Sequence, residues 1–341
     1  MKENNHIEQL RNLCLNAMQF PTEVLEWIAE KNLWSLWVPK SHGGLELSFT
    51  AGLRELKSLA KIDGSLGWTI TLCSGANFFI GNLQPEAATE IFGAPVAPVC
   101  FGGSGGVFGI AEKLGNTYKI SGQWHYATGA SYLTHFTLNA KIIENGEELQ
   151  NKDGSPVVRS FVLPKDKVEI VENWNTMGLK ASVTHSFDVK EVVIDKKYSF
   201  LYNQVYLDSP IFNIPFSVFA DLTLWVNYIG MAEHFLEEAA KLIAKERLIG
   251  LETVLDSANE KVKGYALEIE KRLGEEEVCS EDTIERIHSE AVESVQNISK
   301  AIMEPYPWLG VSACREDHQL NQVFRDYFTA TQHHIFTKRR S

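Results

Sequence analysis

The chain has 341 residues, of which 44% are apolar and 22% charged, the balance of a folded globular protein and not of a disordered one. At about 150 residues per domain this is roughly two domains' worth of sequence, ample for a large buried core. Asp and Glu number 44 against 32 Lys and Arg, a formal charge of −12, which argues against nucleic acid or an anionic membrane as partner, because both need a net basic face.

The first ten residues, MKENNHIEQL, carry no apolar stretch of the kind a secretory signal needs. From about 7 to 93 the apolar spacing is helical, interrupted at VPKSHGG (38–44), where Pro39 and the glycine pair force a turn. The most apolar window, 66–83, contains Thr, Ser, Asn and three Gly, so it reads as a buried helix and not as a membrane span. From about 96 to 200 the period becomes two. After a hairpin turn at Leu114-Gly115-Asn116, Tyr118, Ile120, Trp124 and Tyr126 fall on one face, and Lys119, Ser121, Gln123 and His125 on the other. The alternation returns in Tyr132, Thr134, Phe136, Leu138 and Ala140, and again in HSFDVKEVVID (185–195). Beyond about 210 the helical period resumes, with Leu222, Ile229, Leu236 and Ile243 interleaved by Trp225, Ala232 and Ala239, a stripe suited to a bundle or a helix–helix oligomer contact. Helices are expected at about 252–273 and 282–303, split by GEEEVCSED, and a last amphipathic segment at about 318–337. The predicted fold class is α+β: an N-terminal helical domain (1–95), a central antiparallel β-sheet or barrel (96–205) and a C-terminal four-helix bundle (206–341).

Familiar catalytic signatures are missing: there is no G-x-S-x-G, H-E-x-x-H, phosphate-binding loop or G-x-G-x-x-G entering a helix. In the Gly-rich run 101–110, Phe108 stands where a third glycine belongs, and taken alone the run reads as a flexible loop. His333 and His334 would point about 100° apart on a helix, and His42, His125 and His185 lack a carboxylate or thiol at ligand spacing, so no metal site is expected. The five cysteines, Cys14, Cys73, Cys100, Cys279 and Cys314, form no C-x-x-C pair and read as reduced thiols of a cytoplasmic protein. On pattern alone Trp124, Tyr126, Tyr132 and Phe136 are core aromatics.

Taken together, the strings LWSLWVPKSHGGLELSFTAGLRELKSLAKIDGSLGW, ISGQWHYATGASYLTHFTLNA and WNTMGLKASVTHSFDVKEVVI resemble, in this order, the acyl-CoA dehydrogenase superfamily of flavoproteins, over about 24 to 336. Its dehydrogenase branch takes an α proton with a glutamate, usually in a C-terminal Y-E-G-x string or early in the first bundle helix. Neither is evident here; the early-helix position falls at Ala220, beside Asp221, one methylene too short. The flavin-dependent monooxygenase branch carries W-x-[FY]-[AS]-[ST]-G and R-[DN]-x-x-x-x-x-x-H, matched by WHYATG (124–129) and RDYFTATQH (325–333). This resemblance implies FMN or FAD as cofactor and hydroxylation of an aromatic or heteroaromatic molecule through a C4a-(hydro)peroxyflavin. It further implies a separate flavin reductase or electron-transfer partner and a homo-oligomer, dimer or tetramer. It assigns Thr128 to the flavin N5 edge and His333 to the reacting oxygens. Phe101, Gly102, Trp124, Tyr126, Ala127, Gly129 and Trp174 would line the flavin site, and Arg247 and Arg325 would meet its phosphates. Many relatives continue well past the histidine, whereas here eight residues follow His333, so a more open pocket, or one completed by another subunit, is expected. The alternatives are an acyl-CoA dehydrogenase using Asp221 and a non-catalytic member of the fold that has lost its flavin.

Overall fold

The computed structural model describes residues 2–93 and 98–336. Its N-terminal part consists of α1 (Lys2–Cys14), α2 (Thr22–Glu30), α3 (Phe49–Ile62), α4 (Gly64–Asn77) and α5 (Pro85–Phe92). One residue, Asp63, separates α3 from α4. Its extended backbone (φ −155°) ends the first helix, and its Oδ1 accepts from Leu66 N at 2.9 Å to cap the second. At the 38–44 turn, Gly43 takes φ +78°, and a Cβ on Gly44 would lie 1.9 Å from the Val38 carbonyl oxygen. Helix α4 is buried on nearly all sides because it lies between the sheet and the C-terminal helices, packing on β1, α3, α6 and α9.

One eight-stranded sheet follows: β1 (Phe101–Leu114), β2 (Thr117–Ala127), β3 (His135–Glu144), β4 (Glu147–Glu148), β5 (Val158–Pro164), β6 (Glu169–Val171), β7 (His185–Asp195) and β8 (Ser199–Phe200), in the order β6-β7-β2-β1-β3-β5-β8 with β4 beside β3. The sheet is mixed, not antiparallel as expected from the alternation. After the β1–β2 hairpin the chain crosses β1 through residues 128–134, and β3 then runs parallel to it, with Phe101 opposite His135. Alternation sets which face a side chain occupies and leaves the strand's partner open. The Gly-rich run expected as a loop forms β1 from its start at Phe101 to Ile110; a Cβ on Gly103 would lie 1.8 Å from the Thr137 carbonyl oxygen, so glycine is what lets the two strands meet. Tyr126 also departs from the pattern. Tyr118, Ile120 and Trp124 are buried, but register shifts in β2 and a left-handed backbone at Tyr126 (φ +64°) leave its ring 73% exposed.

The C-terminal part contains α6 (Phe216–Ala239), α7 (Ile249–Gly274), α8 (Glu281–Met303) and α9 (Gln319–Ala330). Helix α6 is the hub, packing on α3, α4, α7, α8 and α9. Leu222, Trp225, Ile229, Ala232 and Ala239 of the predicted stripe are buried, Leu236 is half-buried, and Ile243 lies past the helix end. On the outer side, Arg11 joins α1 to the hub: it donates to Lys61 O at 2.9 Å and to Glu237 at 2.8 Å. The last helix stops at Ala330, and residues 331–336 form turns. Thr337, the expected end of that segment, and the expected boundary between 95 and 96 lie outside the described residues. Among the described residues no helix is long and apolar enough to cross a membrane.

Candidate active site

Where the three parts meet, a cleft of about 330 Å³ opens. One wall is a single face of α4 and the turn after it, with Thr71, Leu72, Gly75, Ala76 and Phe79. Opposite are Gly102, Gly103, Ser104 and Gly105 of β1 and Thr137 and Asn139 of β3. Phe216, Phe219, Ala220 and Thr223 of α6 form a third side, and Thr128, Tyr202, His333, His334 and Ile335 also line it. Two glycines keep this space open in different ways. A Cβ on Gly102 would lie 2.7 Å from Leu133 and 2.8 Å from the Thr128 carbonyl oxygen, whereas one on Gly75 would meet only Phe219, at 3.6 Å.

His333 and Thr128, distant in sequence, both face this cleft. The His333 ring stands edge-on to Trp68 with centroids 5.5 Å apart and lies 4.6 Å from the His334 ring. Its Nδ1 accepts from Ile335 N at 3.4 Å, which assigns the proton to Nε2. Burial, reinforced by His334, pushes its pKa down to about 4, so the imidazole is neutral at physiological pH. The two histidines occupy a turn and not a helix, and therefore the 100° separation expected for them does not hold. Among the described residues, no group of three His, Cys, Asp or Glu side chains is placed to hold a metal ion. Phe336, just beyond, is buried against Tyr228 and His288 and so anchors this segment. Thr128 is buried, and its hydroxyl is held by Thr184 at 3.2 Å, which is held in turn by Ser182 at 2.8 Å. Gly129 takes φ +78° and donates from its N–H to Ser182 O at 2.8 Å, which turns the chain away directly after Thr128.

The other residues singled out in the sequence are distributed more widely. Phe101 and Ala127 are buried beside the cleft and outside its lining. Trp124 is a core residue, donating its indole N–H to Asn139 O at 2.9 Å and stacked on Phe187. Trp174, half-buried, donates to Leu179 O at 2.9 Å. Arg325 donates to Met177 O at 2.9 Å and Asn16 Oδ1 at 3.1 Å, bracing the 174–179 segment. Arg247 is exposed beyond the C-terminal end of α6, its guanidinium 3.8 Å from the Trp308 ring centre. Asp221 is fully buried on α6 and 3.1 Å from His288 Nδ1, away from the cleft lining.

Phe79, Thr137, Asn139, Tyr202, Phe216 and Phe219 also line the cleft, though no motif in the sequence marks them. A usable signal existed on β3, where the polar Thr137 and Asn139 alternate with Phe136, Leu138 and Ala140. Period two assigns such a polar face to solvent, but here α4 and α6 cover it and the polar side chains line a cavity. Asn139 donates to Gly105 O at 2.9 Å and to the Tyr202 hydroxyl at 3.4 Å, while accepting from Ser160 Oγ at 2.6 Å. A second buried polar group lies behind the 174–179 segment. Asp326 Oδ1 accepts from Leu179 N at 2.5 Å, and Asp63 Oδ2 accepts from Gln322 Nε2 at 2.6 Å. Burial, and for Asp326 the neighbouring Asp63 charge, pushes their pKa values up to about 6 for Asp63 and about 8 for Asp326.

No protein-family model matches the chain. It is 30% identical over 219 residues to an indole-3-acetate monooxygenase from Pseudomonas putida, spanning 63% of this chain and 54% of that protein. It is 22% identical over 225 residues to the flavin-dependent monooxygenase oxygenase subunit HsaA from Mycobacterium tuberculosis, spanning 63% of this chain and 55% of that one. In these alignments the chain spans about half the length of the curated relatives it matches. In three dimensions the likeness is broader. The crystal structure of the M. tuberculosis HsaA monooxygenase superimposes with a TM-score of 0.89 at 17% identity, over 98% of this chain and 92% of that one. XiaF from Streptomyces sp., solved in complex with FADH2 and glycerol, superimposes with a TM-score of 0.87 at 18% identity, over 98% and 90%. The chain shares the fold of these monooxygenases.

Proposed function

We propose that this chain is the oxygenase component of a two-component flavin-dependent monooxygenase that hydroxylates an aromatic or heteroaromatic small molecule, with FMN or FAD held in the cleft. The carrying observation is the convergence of His333 and Thr128 on one cavity walled by Phe79, Phe216 and Phe219. The cavity fits a flat ring. Gly102, Gly103 and Gly105 line it with backbone, and at Gly105, where a Cβ would meet nothing within 4 Å, the space is open. A bound reduced flavin would supply the electrons and the locus for activating molecular oxygen.

This chain's own residues do the rest. The Thr128 hydroxyl, fixed by Thr184, would be the group that holds a flavin ring by a hydrogen bond, and the exposed Tyr126 ring at the end of β2, just before it, would offer a stacking surface. His333, neutral with its proton on Nε2, donates a hydrogen bond at the reacting oxygens without delivering a full positive charge. The aromatic side chains Phe79, Phe216 and Phe219 would limit the access of water to a ring bound between them. Arg325 already braces Met177 and Asn16, so a phosphate would have to share it. Helix α6 has 24 residues, about 36 Å at 1.5 Å each, and the cleft lies at its N-terminal half while Arg247 follows its end. Arg247 is therefore remote from this chain's own cleft and could meet a flavin phosphate only in the cleft of a second copy, the arrangement of a dimer or tetramer, in the cytoplasm and served by a flavin reductase. The dehydrogenase alternative needs a carboxylate base at the cleft; the described lining contains no Asp or Glu, and Asp221 is turned to His288.

The test supplies reduced FMN or FAD and an aromatic probe such as indole-3-acetate under ¹⁸O₂. One labelled oxygen atom should enter the product. His333→Ala should retain its melting temperature and flavin affinity while product yield falls about 10- to 100-fold and hydrogen peroxide takes its place. Unchanged coupling in that variant would remove His333 from the chemistry.

A further inference from the structure

The backbone from 179 to 184 is held in a conformation that its residues disfavour. Leu179 (φ +52°) and Val183 (φ +40°) are both left-handed, both buried, and neither is a glycine. For a β-branched residue such as Val183 this is a genuine outlier, and strain of this kind persists only where the surroundings impose it. Here Leu179 N donates to Asp326 Oδ1 at 2.5 Å, and Ser182 O accepts from Gly129 N at 2.8 Å. The strained turn carries two hydroxyls, Ser182 and Thr184, that lead to Thr128 at the cleft.

Three contacts join these three hydroxyls to one carbonyl. Ser182 Oγ lies 2.6 Å from Leu179 O, Thr184 Oγ1 lies 2.8 Å from Ser182 Oγ, and Thr128 Oγ1 lies 3.2 Å from Thr184 Oγ1. The carbonyl has no proton to give, so Ser182 donates to it. A hydroxyl carries one proton; Ser182 must therefore accept from Thr184, and Thr184 from Thr128. All four residues are buried, where a bond left unmade is costly, and only this one direction makes all three. The Thr128 proton is thus committed to the relay. Thr128 lines the cleft, and what its hydroxyl oxygen has left to offer there is lone pairs.

We propose that Ser182 and Thr184 are positioning residues that fix Thr128 as a hydrogen-bond acceptor at the cleft, so that the cleft favours a ligand edge presenting an N–H. Reduction gives a flavin such an edge, because a ring nitrogen that accepts in the oxidised form carries a hydrogen in the reduced form. The link to flavin rests on the oxygenase reading above; the direction of the relay does not. The Kd values of oxidised and of anaerobically reduced FMN and FAD are measured on the full chain, on Thr184→Val and on Thr184→Ser. Valine keeps the shape of threonine and removes the acceptor, which frees the Thr128 proton for the cleft. In Thr184→Val the ratio of the oxidised to the reduced Kd should fall about 3- to 10-fold, the effect of one hydrogen bond, and in Thr184→Ser it should stay as in the unsubstituted chain. A purely structural role would weaken both forms alike, and that result, or an unchanged ratio, would overturn the proposal. Neutron diffraction from crystals of the flavin-free chain keeps the two readings apart. Failure to bind either flavin sinks the oxygenase reading, whereas the relay is still decided by its deuterons: one on Thr128 Oγ1 directed to Thr184 supports it, and one directed into the cleft overturns it.

Discussion

Gly75 and Gly102 face the same cleft and have opposite tolerances. An alanine at Gly102 would drive its Cβ to 2.7 Å from Leu133 and 2.8 Å from the Thr128 carbonyl, so Gly102→Ala should cost about 1–3 kcal/mol through strain and displace Thr128. At Gly75 the added methyl meets Phe219 at an ordinary 3.6 Å, and alanine is favoured over glycine inside a helix by roughly 1 kcal/mol. Gly75→Ala should therefore keep or raise stability while narrowing the cleft. Chemical denaturation of the two variants checks the contrast, and equal stabilities would show that the cleft wall is more pliable than described. His333 shows how environment revises a residue's chemistry. Its type alone gives a group titrating near neutrality, but burial beside Trp68 and His334 moves the pKa to about 4, so the neutral ring is the working form.

At the scale of elements, the junction of α4, α9 and the 174–179 segment carries a pH liability. Asp63 and Asp326 are buried, with pKa values raised to about 6 and about 8 against about 3.9 for a solvated Asp. Between about pH 4 and pH 8 the folded state holds more protons here than the unfolded state, so the contribution of this pair is fully present below about pH 4 and is lost as pH rises. Asp326→Asn keeps the acceptor for Leu179 N and removes the titration. The fall in melting temperature between pH 5 and pH 8 should then be smaller by a few degrees than in the unsubstituted chain; an unchanged pH slope would refute this account. The same elements show what pattern conveys and what it omits. Helices α7 and α8 declare themselves through a continuous 3.6-residue period, and β7 through its alternation. The parallel pairing of β1 with β3 is invisible because it depends on where the 128–134 crossover lands, and Tyr126 leaves its predicted face because a left-handed residue and register shifts intervene. Neither event changes the order of apolar and polar residues.

For the whole molecule, the site was legible in its anchors and not in its walls. His333, Thr128 and Gly102 were singled out through short strings with a family likeness, and they meet at one cleft. Phe79, Phe216, Phe219 and Tyr202 carry no local signature. They are apolar residues on elements that any core would use, and only the meeting of α4, α6 and the sheet turns them into a wall. Trp124 and Asp221, by contrast, face the sheet core and His288, because a string fixes position along the chain and not the direction of a side chain after a bulge or a helical turn. On the proposed function, this convergence would shelter a reduced flavin while oxygen reacts. The most direct measurement mixes the chain, preloaded anaerobically with reduced FMN or FAD, with oxygenated buffer and follows the return of oxidised-flavin absorbance by stopped flow. The expected return is at least about tenfold slower than for free reduced flavin and is hastened by His333→Ala. A return at the free-flavin rate with either cofactor would contradict it.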